Sequence, residues 1–504
     1  MLARIFKTPT FYISTRGFSA LWPPKPGNKV VKTMEEALEG LDDKKTIVVG
    51  GYGGLGAPFT LLDGIAKHKA KDLHMIALHG GCQKGPFNEF VDGKKVKKFT
   101  LGDYGNNTSY VDLLKAGKIE LDLIPEGVFT EKIRAGGVGI PAFYSPTGVG
   151  TLYERGGIPT KYSKDGKIIE KVNAPKERRE FKRRDYLLEK TYLGDFAIVK
   201  ALKADTKGNC LCKNALRNTN PDVASDGKIC IVEADEIVEA GALDGDDLHI
   251  PGIFVQRVIQ SEICPPCEAK PLDFDTFMQT KCKHPENKEK VLKLVKRAAQ
   301  EIKGGYVTLD KGAPKFIRRF IDPKIDVDFV SPQVGVFGEI EPKDSSHCEG
   351  LLDSDFNRIS LRKNAALTES SDAWAAVRGG HMQYIFTVGY QVSAKGDLAN
   401  FDDGEGSHPN FASHFDLASA KNGNLIVLMP HLDYKGKPTI VNECSLKLTG
   451  VNCVKKIITD LAVFEVNEHG LNLVEIAKDT TVDDIKRKTA AGFSISKNLK
   501  KINI

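Results

Sequence analysis

The sequence predicts an α/β protein with two tandem, related domains whose largely parallel sheets are flanked by helices. In both halves of the chain an apolar run typical of a buried strand enters a glycine turn, and a helical pattern follows. This order is found in parallel sheets covered by helices. The length of 504 residues also exceeds what one hydrophobic core usually organises, so two domains are expected.

The first 34 residues are basic and contain no acid, since the first acidic residue is Glu35. Hydroxyl and bulky apolar residues lie between the basic ones, as in organellar transit peptides. We predict a transit peptide over residues 1–18, cleavage between Phe18 and Ser19, and a mature protein in the mitochondrial matrix. A frayed basic N-terminus is the alternative. The basic residues are Arg4, Lys7, Arg16, Lys25, Lys29 and Lys32.

The first domain is predicted over residues 19–260 and begins with the buried-strand run Thr46-Ile47-Val48-Val49. The loop that follows fits G-x-G-x-x-G before a helical pattern, which taken alone suggests a dinucleotide site. A dinucleotide site also needs an acid at the end of the next strand, and that strand runs into His79 with no acid. A dinucleotide is therefore not predicted. The loop glycines are Gly51, Gly53, Gly54 and Gly56.

An interdomain linker is predicted over residues 261–286, where four prolines interrupt any apolar period. It holds a C-x2-C-x14-C-x-H cluster whose ligands suit a tetrahedral zinc site. The alternative is a flexible linker with unrelated cysteines, because one residue between the last cysteine and the histidine is a tight gap. Ten cysteines are too few for a disulfide framework in this length, so the others are expected to be free thiols. The cluster consists of Cys264, Cys267, Cys282 and His284.

The second domain is predicted over residues 287–504 and repeats the organisation of the first. The strand run at residues 306–309 leads through Gly312-Ala313-Pro314 into a helical pattern at residues 315–321. The first half has Gly56-Ala57-Pro58 at the equivalent place, and proline suits a first helical turn. A pseudo-symmetric pair of domains places the functional site between them.

Several long motifs occur in the order found in one known family. On these motifs the chain is identified as a member of the 3-oxoacid, or family I, CoA-transferases, and the resemblance covers nearly everything from about Lys32 to the C-terminus. The motifs span residues 50–58, 133–143, 146–148, 194–197, 378–381 and 395–400.

The resemblance implies transfer of CoA from succinyl-CoA to acetoacetate, a step of ketone body catabolism. In the family a glutamate attacks the acyl-CoA thioester, and a glutamyl-CoA thioester then forms through a mixed anhydride. The resemblance further implies dimers, CoA thioesters as substrates and no firmly indicated cofactor. The glycine loop at residues 51–56 is implied to lie over the thioester, where backbone N–H groups approach the oxyanion.

The segment that resembles the family's nucleophile motif lacks the nucleophile. The family reads S-E-N-G-x-x-G, and this chain has Ser331-Pro332-Gln333-Val334-Gly335-Val336-Phe337-Gly338. Anchoring on Gly335 and Gly338 puts Gln333 in place of the glutamate, and anchoring on Ser331 puts Pro332 there. An amide cannot act as this nucleophile, because its nitrogen lone pair is delocalised and its oxygen carries no full charge. The nearest acids are Glu339 and Glu341.

Two more departures fall on the surface that the resemblance assigns to CoA. The family loop N-L-G-x-G-I-P has become Thr308-Leu309-Asp310-Lys311-Gly312-Ala313-Pro314, which is expected to put Asp310 near the CoA phosphates or the thioester. The family's G-M-G-G-A-M-D-L has become residues 410–417, where side chains fill positions that had none and oppose close ligand approach. These side chains are Asn410, Ala412, Ser413 and His414.

Three functions remain open. The chain is a working transferase that uses another carboxylate, an inactive homologue kept as a structural or accessory subunit of a mitochondrial assembly, or a module that binds CoA without turnover. The three departures favour the second. The net charge of +6 is diluted by mixed charge, which gives no support to nucleic-acid binding. No apolar run reaches the length of a membrane helix.

Overall fold

Two large sheets organise the chain, one built from the first half and one from the second. The structure is a computed structural model that describes residues 27–81, 86–91, 94–105, 107–262, 278, 285–340, 351–404, 410–420 and 424–503. The fold class is α/β with largely parallel sheets flanked by helices, as the sequence predicts.

The first sheet runs β13-β12-β10-β1-β2-β3-β4, and every neighbouring pair along this path is parallel. β11 adds an antiparallel pairing to β10. The small sheets β5-β9-β8 and β6-β7 lie outside it. The strands are β1 Thr46–Val49, β2 Leu73–His79, β3 Val96–Asp103, β4 Glu120–Leu123, β5 Ala142–Ser145, β6 Pro159–Tyr162, β7 Ile169–Val172, β8 Arg178–Phe181, β9 Arg184–Lys190, β10 Gly194–Asp205, β11 Cys210–Leu211, β12 Gly227–Val238 and β13 Arg257–Gln260.

Short helices connect these strands. α1 begins with a capping box, in which Thr33 accepts from the Glu36 N–H and the Glu36 side chain reaches back to the cap. α4 is almost entirely buried, since it packs between the two sheets. The helices are α1 Met34–Ala37, α2 Phe59–Lys67, α3 Ser109–Lys115, α4 Glu126–Gly137, α5 Leu152–Arg155 and α6 Asn220–Ser225, and the 3-10 helices are Pro86–Phe90, Asn214–Arg217, Gly245–Asp247 and Gly252–Phe254.

The second sheet runs β17-β16-β15-β14-β18-β21-β23-β24-β25-β26, with a parallel centre and antiparallel pairs toward both sides. The sheet β20-β19-β22 lies beside it. The strands are β14 Gly305–Leu309, β15 Val327–Ser331, β16 Val336–Ile340, β17 Ser360–Leu367, β18 Tyr384–Val388, β19 Gln391–Ser393, β20 Leu398–Ala399, β21 Asn424–Leu428, β22 Ile440–Val441, β23 Val454–Ile458, β24 Ala462–Asn467, β25 Gly470–Ile476 and β26 Phe493–Lys501.

The helices of the second half are fewer in its described part. A buried 3-10 helix, Ala313–Phe320, takes the place of the α-helical pattern expected at residues 315–321. The strand and the proline turn before it are as the sequence predicts. The helices are α7 Pro285–Ala299, α8 Ser370–Gly379, α9 His414–Ala418 and α10 Val482–Lys488, and a second 3-10 helix is Pro332–Val334.

Two hydrophobic clusters join the halves. In one, Phe411 and Phe415 of the second half pack among residues of the first sheet, and the Phe411 ring lies 5.7 Å from the ring of Tyr153. In the other, Val334 and Val336 pack against residues under the first sheet. Because apolar burial is the main stabilising contribution to folding, the two halves form one packed body with a buried junction.

Two further findings concern the described part of the chain. Its helices include none that is long and apolar enough to cross a membrane. Five cysteines there are free thiols, in agreement with the expected absence of a disulfide framework: Cys210, Cys212, Cys230, Cys444 and Cys453.

Candidate active site between the two halves

Gln333 lies in a rigid buried turn between β15 and β16. Its side chain is 2% exposed, and its carbonyl accepts a 2.7 Å hydrogen bond from the Ser370 hydroxyl. The turn ends at Gly335, whose φ of 69° is left-handed and whose missing Cβ would lie 2.0 Å from the Thr368 carbonyl oxygen. Glycine is therefore required there. Gly338 is not part of this turn but lies in β16, next to a register shift in the pairing with β17.

The carboxylate of Glu339 is buried and paired with two cations. Its carboxylate lies 3.2 Å from Arg318 and 3.8 Å from Lys315, and its side chain is 1% exposed. Arg318 also pairs with Asp353 at 3.1 Å. The two cations balance the negative charge of this carboxylate. Its burial also makes it inaccessible to a substrate. Glu341 lies outside the described residues.

Asp310 is buried inside the second half of the chain. Its side chain is 0% exposed and accepts from Ser413 Oγ at 2.7 Å, Thr387 Oγ1 at 2.5 Å and its neighbour's backbone N–H at 2.9 Å. His414 Nδ1 lies 3.0 Å from Asp310 Oδ2. Burial would raise the pKa of Asp310, but the charge of His414 and these hydrogen bonds hold it far below its ordinary value.

Lys311 bridges to the first half of the chain. Its ammonium contacts Asp103 and lies 3.1 Å from Glu126 Oε1. Asp103 is also bound by the second half through Asn410, whose Nδ2 donates at 2.7 Å. Burial would raise the pKa of Asp103, but Lys311 and, more weakly, His79 hold it well below its usual range.

Glu126 begins α4 and places a fully buried carboxyl beside Gln333. Burial raises its pKa, and Lys311 together with the neighbouring Gln333 amide only partly offsets this. Tyr52 lies at 3.5 Å from Glu126 Oε1. Within the described residues, Glu126 Oε2 and Gln333 Oε1 have no hydrogen-bond partner. Glu126 thus places a carboxyl next to the Gln333 amide from the first half of the chain.

The glycine loop is packed tightly against the second half. Gly51, Gly53 and Gly56 have positive φ values of 99°, 62° and 67°. A Cβ on Gly53 would lie 2.7 Å from the ring of Phe356, and the Tyr52 ring stacks on Phe356 at 5.9 Å. The Gly51 N–H donates to Thr219 Oγ1 at 2.8 Å. This N–H is therefore occupied by Thr219 and is not presented to an oxyanion.

Residues 410–414 reach across the same junction. The Ala412 carbonyl accepts from the Glu126 N–H at 3.0 Å, and Ala412 has a φ of 41°, a conformation that favours glycine. A strained backbone therefore supports the start of α4.

The Gly312 N–H donates to Asp355 Oδ2 at 2.8 Å.

The polar residues of this site form one connected cluster, which we call the junction network. Each buried charge in it has a partner, as burial of charge requires. The sequence identified its second-half members except Lys311, and it missed the first-half members. Asp103 ends β3, and Glu126 follows β4. The carboxyl ends of neighbouring parallel strands are where α/β proteins place ligands, a signal that was available in the sequence. The junction network consists of Asp103, Glu126, Asp310, Lys311, Gln333, Asn410, Ser413 and His414.

The predicted zinc ligands Cys264, Cys267, Cys282 and His284 lie outside the described residues. Among the residues that the structure does describe, no group of three or more histidine, cysteine, aspartate or glutamate side chains has an arrangement that would hold a metal ion. Zinc at the linker therefore stays a prediction.

Comparison with known proteins identifies the family. The profile of the family "Coenzyme A transferase" matches residues 31–261 and 345–488. The chain belongs to the coenzyme A transferase family. Mitochondrial succinyl-CoA:3-ketoacid coenzyme A transferase 2A of Mus musculus is 34% identical to it over 505 residues, with 96% of both chains covered. Mitochondrial transferase 2 of Homo sapiens is 33% identical over 469 residues, covering 92% of this chain and 90% of the relative.

Solved structures of coenzyme A transferases share the fold. The acyl-CoA transferase apoenzyme of Escherichia coli O157:H7 superposes with a TM-score of 0.73 at 20% identity, covering 95% of this chain and 96% of that one. At this identity the likeness shows the fold alone. This member of the coenzyme A transferase family is thus homologous to mitochondrial succinyl-CoA:3-ketoacid transferases along nearly its whole length.

Proposed function

We propose that this chain is a succinyl-CoA:3-ketoacid CoA-transferase homologue that is impaired in CoA transfer and serves as a structural or accessory subunit. The family reaction moves CoA from succinyl-CoA to acetoacetate through a glutamyl-CoA thioester. The observation that carries the proposal is the buried amide of Gln333, which stands at the family's nucleophile position when the motif is anchored on Gly335 and Gly338.

The junction network supports impairment independently. Asp103 and Glu126 are already occupied by Lys311, and Asp310 is saturated by donors from its own half. A substrate carboxylate that enters the junction would lie near Asp103 and Glu126. Lys311 is already paired with both of these carboxylates and cannot balance a third. Removing that cation from its partners would leave buried charges unpaired, which is costly.

We further propose a mitochondrial matrix location after cleavage of a transit peptide before Ser19, and assembly as a homodimer or within a larger mitochondrial complex. The names of the mouse and human relatives include "mitochondrial", and the basic leader fits import. A relative from Helicobacter pylori that matches 47% of this chain is named as one of the subunits of a transferase, which favours assembly.

Two measurements on the purified full chain test the proposal. Acetoacetyl-CoA formation from succinyl-CoA and acetoacetate is expected at the background rate, with the mouse relative assayed in parallel. Intact mass after incubation with acetoacetyl-CoA is expected to show no covalent CoA adduct. Robust turnover together with an adduct would overturn the impairment.

Glu126 favours a second candidate, a transferase that uses this carboxylate in place of residue 333. Its carboxyl lies beside Gln333, and one oxygen has no partner among the described residues. In this case Glu126 attacks the thioester carbonyl and expels CoA thiolate, which returns to form the glutamyl-CoA thioester. The ion pair with Lys311 and the complete burial of Glu126 oppose it.

The two candidates predict different peptide masses. Under the second candidate the CoA adduct maps to the peptide that contains Glu126, and Glu126→Gln abolishes both adduct and transfer. Glu339→Gln serves as the control, because Glu339 is already paired with Arg318. An adduct that survives Glu126→Gln eliminates this candidate.

A further inference from the structure

The most reactive arrangement in the junction network is the pair formed by Asp310 and His414. A carboxylate only accepts hydrogen bonds, so His414 Nδ1 must donate the 3.0 Å bond to Asp310 Oδ2. In neutral His414 the lone pair is then on Nε2. Within the described residues Nε2 has no hydrogen-bond partner, and the His414 side chain is 18% exposed while that of Asp310 is 0% exposed.

Asp310 is held in place by several hydrogen bonds, and it in turn orients the imidazole ring of His414. Ser413 Oγ and the Lys311 backbone N–H donate to one carboxylate oxygen, and Thr387 Oγ1 donates to the oxygen that binds His414. Asn400 in turn donates to Thr387 Oγ1 at 3.1 Å. A histidine oriented by a buried carboxylate is the usual arrangement of a general base.

Three charged groups face the His414 ring in the described structure: Asp310, Lys311 and Asp103. Burial would lower the pKa of His414, but Asp310 more than offsets this, and the pKa is raised above its ordinary value. The Lys311 side chain is 20% exposed. The His414 ring therefore lies at a partly exposed edge of the junction.

We propose that His414 is the general base of a thioester hydrolase site and that Asp310 is its positioning residue. The substrate class is an acyl-CoA thioester, which rests on the proposed function because the family supplies it. Hydrolysis needs no carboxylate at position 333, since water takes the place of the acceptor acid.

The step balances without a co-reactant. A water oxygen attacks the thioester carbonyl carbon while its proton moves to His414 Nε2. The tetrahedral oxyanion then collapses, the carbon–sulfur bond breaks, and its electron pair goes to sulfur. The imidazolium returns the proton to the thiolate, which gives a carboxylic acid and free CoA.

The test is release of free thiol from succinyl-CoA and from acetoacetyl-CoA by the full chain, with no acceptor acid present. We expect release above the spontaneous rate, rising with pH as His414 loses its proton. His414→Gln is expected to lower the rate by about 100-fold or more. His469→Gln is the control, because this histidine is 85% exposed and lies in the turn between β24 and β25.

Asp310→Asn distinguishes positioning from mere structural support. Without the carboxylate the pKa of His414 falls, so the rising limb of the pH–rate profile moves to lower pH while the maximal rate falls. NMR titration of the His414 ring in both proteins reports the same shift without activity, and thermal unfolding reports whether each variant folds. Thiol release at the spontaneous rate in the wild type, or release unchanged by His414→Gln, overturns the proposal. CoA transfer is measured by the formation of acetoacetyl-CoA, whereas hydrolysis is measured by the release of free thiol. Failure of the impaired-transferase proposal can therefore be distinguished from failure of the hydrolase proposal.

Discussion

At the scale of single residues, the predicted departures from the family pattern depend on one another. Asp310 accepts a hydrogen bond from Ser413 Oγ and contacts His414 Nδ1, so the three side chains satisfy one another. Unpaired buried polar groups cost about 1–3 kcal/mol each. A single reversal is therefore expected to leave its former partners unsatisfied.

Gln333→Glu alone is expected to restore little CoA transfer. The new carboxylate would be buried beside the carboxylate of Glu126, and neighbouring like charges repel each other. The reacting atoms of the thioester must also come within roughly 3–3.5 Å, and the filled loop at residues 410–414 opposes this. The measurement is acetoacetyl-CoA formation by Gln333→Glu, by Gln333→Glu combined with glycine at 410, 412 and 413, and by those glycines alone.

We expect the combined variant to regain CoA affinity before rate, and the glycines alone to gain affinity without transfer. Full transfer by Gln333→Glu alone would show that the junction network is no obstacle.

Asp226 is expected to make stability fall with increasing pH. It is 0% exposed, neither carboxylate oxygen has a partner within the described residues, and burial raises its pKa to about 9. The folded state therefore holds a proton that the unfolded state loses near pH 4. The contribution is fully present below pH 4 and decreases by about 1.4 kcal/mol per pH unit until about pH 9.

Asp226→Asn should remove this slope and stabilise the protein at pH 8. Urea unfolding from pH 6 to 9 measures it, with Asp483→Asn as the control because that carboxyl is 79% exposed. A slope that is equal in wild type and Asp226→Asn would contradict the assignment.

At the scale of elements, α4 connects the site to the rest of the first half. It starts with Glu126 at the junction and ends against α6. A Cβ on Gly136 would lie 2.0 Å from the Tyr192 carbonyl oxygen and 2.6 Å from Asp226 Oδ1. Close approach of α4 to its neighbours therefore depends on this glycine.

Gly136→Ala is expected to destabilise the protein by about 1–3 kcal/mol, since backbone atoms must move to admit the methyl group. The measurement is thermal unfolding. Gly245→Ala is the matched control, because nothing lies within 4 Å of its added Cβ. Equal unfolding temperatures for the two variants would show that α4 can shift at little cost.

At the scale of the whole molecule, the halves are held by more than the two hydrophobic clusters. Arg378 pairs with Glu131 at 2.9 Å, and Asp416 accepts from the Gly127 N–H at 2.7 Å and from Thr147 Oγ1 at 3.0 Å. These contacts join residues more than 240 positions apart. The halves should therefore stay together when the chain between them is cut.

Limited proteolysis is expected to cut first between residues 261 and 286, the predicted linker. Gel filtration of the cut protein should then give one peak that contains both fragments, and denaturant should separate them. A first cut within residues 46–260 or 305–501 would contradict the predicted domain boundaries.

Zinc at the linker predicts about one metal ion per chain after gel filtration. Changing Cys264 and Cys267 together to serine should remove it, and changing Cys444 and Cys453 should not. A metal-free protein whose stability is unaffected by chelator would exclude the site.

The fold class and the family could be predicted from the sequence alone, and the sequence also predicts that Gln333 stands where the family has its nucleophilic glutamate. These depend on local patterns, namely strand runs, glycine turns and motif spacing, which are read along the chain. It also found Asp310 and His414, but as separate obstacles to CoA.

How these residues meet depends on tertiary packing. Lys311 and Glu126 are 185 positions apart, and Asn410 and Asp103 are 307 apart. Neither Asp103 nor Glu126 belongs to a local sequence motif that predicts an ion-pair or hydrogen-bond partner in the other half of the chain. Their pairing follows from the parallel order of the strands and the packing of one half of the chain against the other. Both bring distant chain segments to one buried junction where every charge needs a counterpart.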